Sequence, residues 1–119
     1  IRGYLMRKFP SIKRGVDFQA VYRAGKSYAN KELVMYVKRT EFPGQRIGIS
    51  VSKKVGNSVV RHRVTRLIRE CFRLNQEQLT TGLDIVVVAR VAAATANYKN
   101  MERAYLHLCG LHNMNKESK

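Results

Sequence analysis

The sequence predicts an α+β fold, a two-layer sandwich of three helices on a small mixed sheet of about four strands. Three observations lead there. Gln45–Ser52 alternates, with Ile47, Ile49 and Val51 on one side and Arg46, Gly48, Ser50 and Ser52 on the other, the period of a half-buried strand. Asp84–Arg90, DIVVVAR, is a continuous apolar run of the kind found in a strand covered on both faces. Between them, residues 53–73 read as a glycine-containing turn entering a helix, so the three pieces form a βαβ-like unit.

Each element carries its own signal. Residues 1–14 hold Arg2, Arg7, Lys8, Lys13 and Arg14 without an acid, and residues 1–10 are expected to be a basic, disordered arm. Val16–Ala24 is helical in pattern, with Phe18, Val21 and Tyr22 at i, i+3, i+4 and Gly25 closing it. Residues 27–38 are extended in composition, with the apolar run Leu33–Val37, and Phe42-Pro43-Gly44 marks a turn. The central helix is preceded by Gly56-Asn57-Ser58, where Asn57 or Ser58 can cap it. At about 100° per residue, Val60, Val64, Leu67, Cys71 and Leu74 form its core stripe. Thr81-Gly82 breaks the chain before the second strand of the unit. A last helix over Asn97–Gly110 places Tyr98, Met101, Tyr105 and Leu108 together, and the polar tail 113–119 is expected to fray. The 119 residues suit a single domain with a modest core.

Charge gives the first functional reading. The net formal charge is +15, and residues 1–73 carry +14 of it (18 basic, 4 acidic side chains). Such an excess opposes compaction unless a polyanion neutralises it. Arg61, His62, Thr65, Arg66, Arg69 and Arg73 fall on one arc of the central helix, beside its core stripe. An ordinary solvated face mixes both signs; this one, with Glu70 as the single acid in 53–73, is suited to lie along a polyanion. Guanidinium groups bind phosphate in bidentate fashion, so nucleic acid is the first candidate. A basic membrane-surface protein would need a wide exposed apolar face with Trp, Phe or Leu. Here there is no Trp, and the stripes suit packing on a sheet.

Autonomous catalysis is not supported. The eight acids, Asp17, Glu32, Glu41, Glu70, Glu77, Asp84, Glu102 and Glu117, are scattered, without the grouping that two-metal phosphodiester cleavage needs. His62, His107 and His112 show no zinc-ligand spacing, and Cys109-x-x-His112 supplies only two ligands. No phosphate-cradling glycine loop is present. Cys71 and Cys109, at apolar helical positions, read as reduced core thiols. Phe18, Tyr22 and Tyr36 could stack unpaired bases, although composition alone favours core for a Phe and a Tyr at i, i+4. Ser50 and Ser52 beside Gly48 leave room on one sheet face for a strand of nucleic acid, or form an ordinary solvent face.

From about Ile12 to Leu108 the chain resembles the protein subunit of bacterial ribonuclease P. The likeness is densest at VDFQAVYRAGKSYAN, RIGISVSKKVGNSVVRHRVTRLIRE and DIVVVAR. Arg61-His62-Arg63, preceded by Ser-Lys-Lys-x-Gly-Asn, matches the family's Arg-Asn-Arg signature. His62 stands where Asn is usual, and Thr65 where a basic residue is common. The resemblance implies an accessory subunit of a cytoplasmic ribonucleoprotein endoribonuclease. Catalysis would be carried by the RNA and Mg²⁺ required by the holoenzyme, with no cofactor held by the protein. The implied partners are ribonuclease P RNA and precursor tRNA, with no membrane and no obligate protein partner. For contact with the catalytic RNA it points to Lys54, Asn57, Arg61, His62, Arg63, Arg66 and Arg69. For the single-stranded 5′ leader it points to Phe18, Tyr22, Tyr36, Ser52, Lys53 and Arg90. It also implies a left-handed βαβ crossover, against the usual right-handed rule. A ribosomal or other structural RNA-binding protein and a self-sufficient nuclease are the rival readings.

Overall fold

The computed structural model describes residues 11–12 and 15–116; the basic arm over 1–10 and the last three residues of the tail lie outside them. The elements are α1 (Gly15–Ala24), β1 (Lys26–Ala29), β2 (Leu33–Arg39), β3 (Gln45–Ser50), α2 (Ser58–Asn75), β4 (Leu83–Ala89) and α3 (Tyr98–Leu111), with 3-10 turns at Gln76–Gln78 and Val91–Thr95. Among the described residues, three helices and a four-stranded mixed sheet make the α+β fold that the patterns predict. The strand order is β1-β2-β4-β3, with β3 and β4 parallel and the other pairs antiparallel. α2 connects the parallel pair, as the βαβ reading requires.

β4 is central and covered on both faces, which explains its unbroken apolar sequence. Ile85 and Val87 join Leu33, Met35, Val37 and Ile47 in the main core under α2 and α3. Val86 and Val88 face the other way, where Ile12, Phe18, Val21, Tyr22 and Tyr36 make a smaller cluster under α1. On that second face Arg46 grips the buried Asp84 in bidentate fashion, Nε to Oδ1 at 2.9 Å and Nη2 to Oδ2 at 2.7 Å. Ser11 and Ile12 run beside Ile47, Ile12 N–H donating to its carbonyl at 2.7 Å, so a short segment covers the outer edge of β3.

The core stripe of α2 differs from the expected one. Val64 and Cys71 are buried as expected, but Ile68, Phe72 and Asn75 complete the stripe, while Leu74 is 53% exposed. The spacing Val60, Val64, Leu67, Cys71, Leu74 is a 3.5-residue repeat, which drifts by roughly 20° per heptad on a straight helix. By its end the drift has carried Leu74 off the core.

The expectation of a tail fraying from Asn113 is corrected for residues 113–116. Asn113 takes φ 57°, the left-handed conformation that ends helices. Asn113 N–H donates to Gly110 C=O at 3.0 Å and Met114 N–H to Cys109 C=O at 3.1 Å, the paired bonds of a Schellman cap. The cap turns Met114 fully into the core. Backbone bonds from Thr80 N–H to Met114 C=O and from Lys116 N–H to Gln78 C=O then fasten residues 114–116 beside the 3-10 turn. Gly82, at φ 77°, makes the turn into β4, where an added Cβ would lie 2.7 Å from the Thr40 carbonyl oxygen.

Candidate nucleic-acid interface

Parallel β3 and β4 end at the same side of the sheet, since Ser50 pairs with Val88. That shared end delivers two surfaces. The first is built on α2. Asn57 caps the helix, its Oδ1 accepting from Val60 N–H at 3.0 Å, so this predicted contact residue already has a structural task. Arg61, His62, Thr65, Arg66 and Arg69, with Ser58, wall a groove of about 500 Å³ whose floor is Ile49 and Val51. His62, Arg66 and Arg69 are exposed, and Arg61 is half-buried with Nε donating to Gly56 C=O at 3.1 Å. Arg63 points elsewhere: it donates to the carbonyls of Ala96, at 3.1 Å, and of Ala94, bolting α2 to the turn after β4. Arg73, on the expected arc, is paired with Glu70 and is not among the groove residues. That pairing holds the Glu70 carboxyl below its ordinary range.

The second surface lies between α1 and the sheet. Tyr22 and Tyr36 meet edge-to-face at 4.8 Å between ring centroids, and Phe18 is 6.3 Å from Tyr22 at a 49° tilt. All three rings are half-buried, one side resting on the smaller core. Core and platform are therefore not exclusive readings here. Burial pushes the Tyr22 phenol above its usual pKa, an effect the facing Ser50 hydroxyl partly offsets. Gly48, expected to leave the sheet face bare, instead admits Phe18: a Cβ built there would stand 2.7 Å from the tip of its ring. The open part of this face is narrower than the sequence suggests, running from Tyr22 and Tyr36 towards Ser50.

The turn 51–57 joins the two surfaces. Val55 is buried and anchors it; Lys54 N–H donates to Ser52 Oγ at 3.3 Å and Val55 N–H to Ser52 C=O at 3.0 Å. Ser52, Lys53 and Lys54 are all exposed on it. Arg90, also exposed, is steadied by Nη1 donating to Asn30 C=O at 2.8 Å.

Neither surface suits a protein-held Mg²⁺, which takes oxygen ligands from one or two carboxylates. The groove offers guanidinium, imidazole and hydroxyl groups, and among the described residues no three His, Cys, Asp or Glu side chains gather to hold a metal ion. Cys71 and Cys109 are free and buried, and burial pushes both thiols up to about 12. Among the described residues no helix is long and apolar enough to cross a membrane.

Fold and site define a small, strongly basic α+β protein whose crossover helix complements a polyanion. Known proteins of this kind match it closely. The ribonuclease P family profile matches residues 6–112. The ribonuclease P protein component of Lachnoclostridium phytofermentans is 56% identical over 102 residues, covering 86% of this chain and 88% of its own. That of Clostridium novyi is 46% identical over 113 residues, covering 91% and 100%. The Staphylococcus aureus RNase P protein structure superposes with a TM-score of 0.84 at 34% identity, covering 92% of this chain and 100% of its own. The Thermotoga maritima RNase P protein gives 0.77 at 27% identity, covering 84% and 94%. The chain belongs to the ribonuclease P protein family: it is a subunit of a ribonucleoprotein tRNA-processing enzyme, partnered with ribonuclease P RNA.

Proposed function

We propose that this subunit binds the catalytic RNA through α2 and its preceding turn, using Lys54, Asn57, Arg61, His62, Arg66 and Arg69, while Arg63, engaged by the carbonyls of Ala94 and Ala96, holds the helix in place. The α1 cleft holds the single-stranded 5′ leader of precursor tRNA through Phe18, Tyr22 and Tyr36, flanked by Ser52, Lys53 and Arg90. The observation that carries this reading is the meeting of the two surfaces at the shared end of β3 and β4, with Lys53 and Lys54 on the turn between them. An RNA strand on one surface and a leader on the other would lie side by side there. The cations between them offset phosphate repulsion.

In this reading the RNA performs the chemistry and holds the Mg²⁺ that ribonuclease P needs, which fits the lack of a protein carboxylate cluster among the described residues. The protein's share is electrostatic and positional. Its guanidinium groups lower the cost of bringing two polyanions together, so the holoenzyme works at lower Mg²⁺. Half-buried rings hold unstacked leader bases, worth about 1–3 kcal/mol per base. The product is tRNA with a mature 5′ end, made in the cytoplasm.

The test mixes purified protein with precursor tRNA at low Mg²⁺, with and without bacterial ribonuclease P RNA. Stimulated cleavage only in the presence of the RNA is expected. Cleavage by protein alone would make it a nuclease in its own right, and no stimulation would leave a structural RNA binder. RNA affinity should also fall steeply with salt as counterions are released.

A further inference from the structure

One cavity takes no part in either surface. It lies at the β1 edge of the sheet, has a volume of about 630 Å³, and is lined in part by Lys26, Tyr28, Lys38, Arg39, Leu111 and His112. Its place is the far corner of the sheet from the shared end of β3 and β4. β1 and β3 are the two ends of the strand order, and Arg39 pairs with Leu83, at the opposite end of β4 from Val88. With strands about 4.8 Å apart and about 3.3 Å of rise per residue, the separation is roughly 20–25 Å.

The chemistry of the lining is specific. Lys26 and Arg39 contribute two cations, and no acidic side chain among the described residues lines the cavity; Lys38 also borders it, but pairs with Asp84 and faces the other side of the sheet. Arg39 is held in place, one terminal nitrogen donating to His112 C=O at 2.9 Å, which leaves further N–H groups of its fork for another acceptor. Lys26 and Tyr28 pair with Val37 and Met35, so both face the side that α3 covers. The Tyr28 ring is 38% exposed and fixed edge-to-face on His112 at 4.7 Å between centroids, and Leu111 is 43% exposed. His112 is buried, with Nε2 donating to Met35 C=O at 2.8 Å, so the aromatic wall has a rigid back. Cations beside a braced ring and an aliphatic wall are the parts used to hold phosphates and stack bases in single-stranded nucleic acid.

We infer that this corner is a third RNA-contact surface, which takes a single-stranded segment with phosphates on Lys26 and Arg39 and a base against Tyr28. It rests on the reading of the protein as an RNA binder, but not on the assignment of the other two surfaces. A free phosphate or nucleotide is a weaker fit, since the cations are spread over two strands along an open cleft.

The test is amide NMR of the full chain titrated with short oligouridylate, and separately with inorganic phosphate. Amides around Lys26, Tyr28, Arg39 and Leu111 should move with the oligonucleotide, at concentrations where inorganic phosphate moves them little. K26E, a change at an exposed side chain, should remove those shifts, weaken that contact about tenfold and leave the shifts around Tyr22 and Arg66 in place. With charge-neutral K26Q, the salt slope of oligonucleotide binding at this corner should fall by about 0.7, for one lost phosphate contact on a single strand. Equal response to inorganic phosphate would replace the proposal by a small-anion site. Silence at this corner, with shifts around Tyr22 and Arg66, would overturn it and leave the proposed function standing. Silence everywhere would overturn both.

Discussion

Gly48→Ala tests whether the α1 cleft is a built site or an incidental one. The added Cβ would stand 2.7 Å from Phe18 Cζ, 3.0 Å from Cε1 and 3.1 Å from Ile12 Cβ. Carbon atoms rest at about 3.5–4.0 Å, so the ring must retreat by roughly 1 Å and Ile12 by about half that. Overpacking of this kind costs about 1–3 kcal/mol. The narrower unfolded ensemble of alanine returns about 0.4–1 kcal/mol, leaving a net loss of roughly 1–2 kcal/mol. For 119 residues the unfolding entropy is about 250 cal/mol/K, so Tm should drop by roughly 4–8 °C. The displaced ring should also lose its base, worth about 1–3 kcal/mol, or roughly 5- to 150-fold in leader affinity. The assay compares binding of precursor tRNA and mature tRNA by the holoenzyme carrying this variant. Preference for the leader-bearing substrate should shrink while affinity for the catalytic RNA stays unchanged. Undiminished leader preference at the expected lower Tm would refute the role of Phe18, and an equal loss of catalytic-RNA affinity would refute the separation of the two surfaces.

The same geometry sets other outcomes. Arg66→Ala should weaken catalytic-RNA binding roughly tenfold with little change in Tm, whereas Arg63→Ala should cost about 1–3 kcal/mol of stability in denaturant titration by freeing the carbonyls of Ala94 and Ala96. Burial pushes the His112 pKa below its ordinary value. The unfolded chain therefore binds more protons there, so stability is lost as pH falls below about 6.5. His112→Gln should flatten Tm between about pH 7 and pH 5, and an unchanged slope would assign it to other groups. Thiol titration of the native protein should find Cys71 and Cys109 nearly inert at neutral pH, since burial holds both as thiols, and both should react fully in denaturant.

Much of the fold was legible because it rests on local pattern. The alternation of Gln45–Ser52 and the unbroken run in DIVVVAR each describe which faces of a strand are covered, and that is a property a sequence carries directly. The errors arose where tertiary geometry decides. Choosing Leu74 over Phe72 followed a 3.5-residue spacing on a helix that does not supercoil to keep it. The fastening of residues 113–116 turns on Asn113 adopting positive φ, a conformation asparagine permits but does not announce. In the candidate site, the cations around the α2 groove could be read from their arc alone. That Arg63, outside that arc, reaches two carbonyls could not, because its partners lie 31 and 33 residues away. Gly48 signalled open space, but only the structure supplies the ring that fills it.

The crowding of Arg61, Arg66 and Arg69 along one groove has a consequence for supply. Like charges held this close lower the stability of the free chain, and a bound polyanion removes that burden. Binding also adds stability in proportion to the logarithm of ligand concentration over Kd. Protein made in excess of its RNA is then the fraction that opens most often and meets proteases first. Its cellular level should track that of the RNA, with turnover of the surplus setting the ratio and no dedicated sensor required.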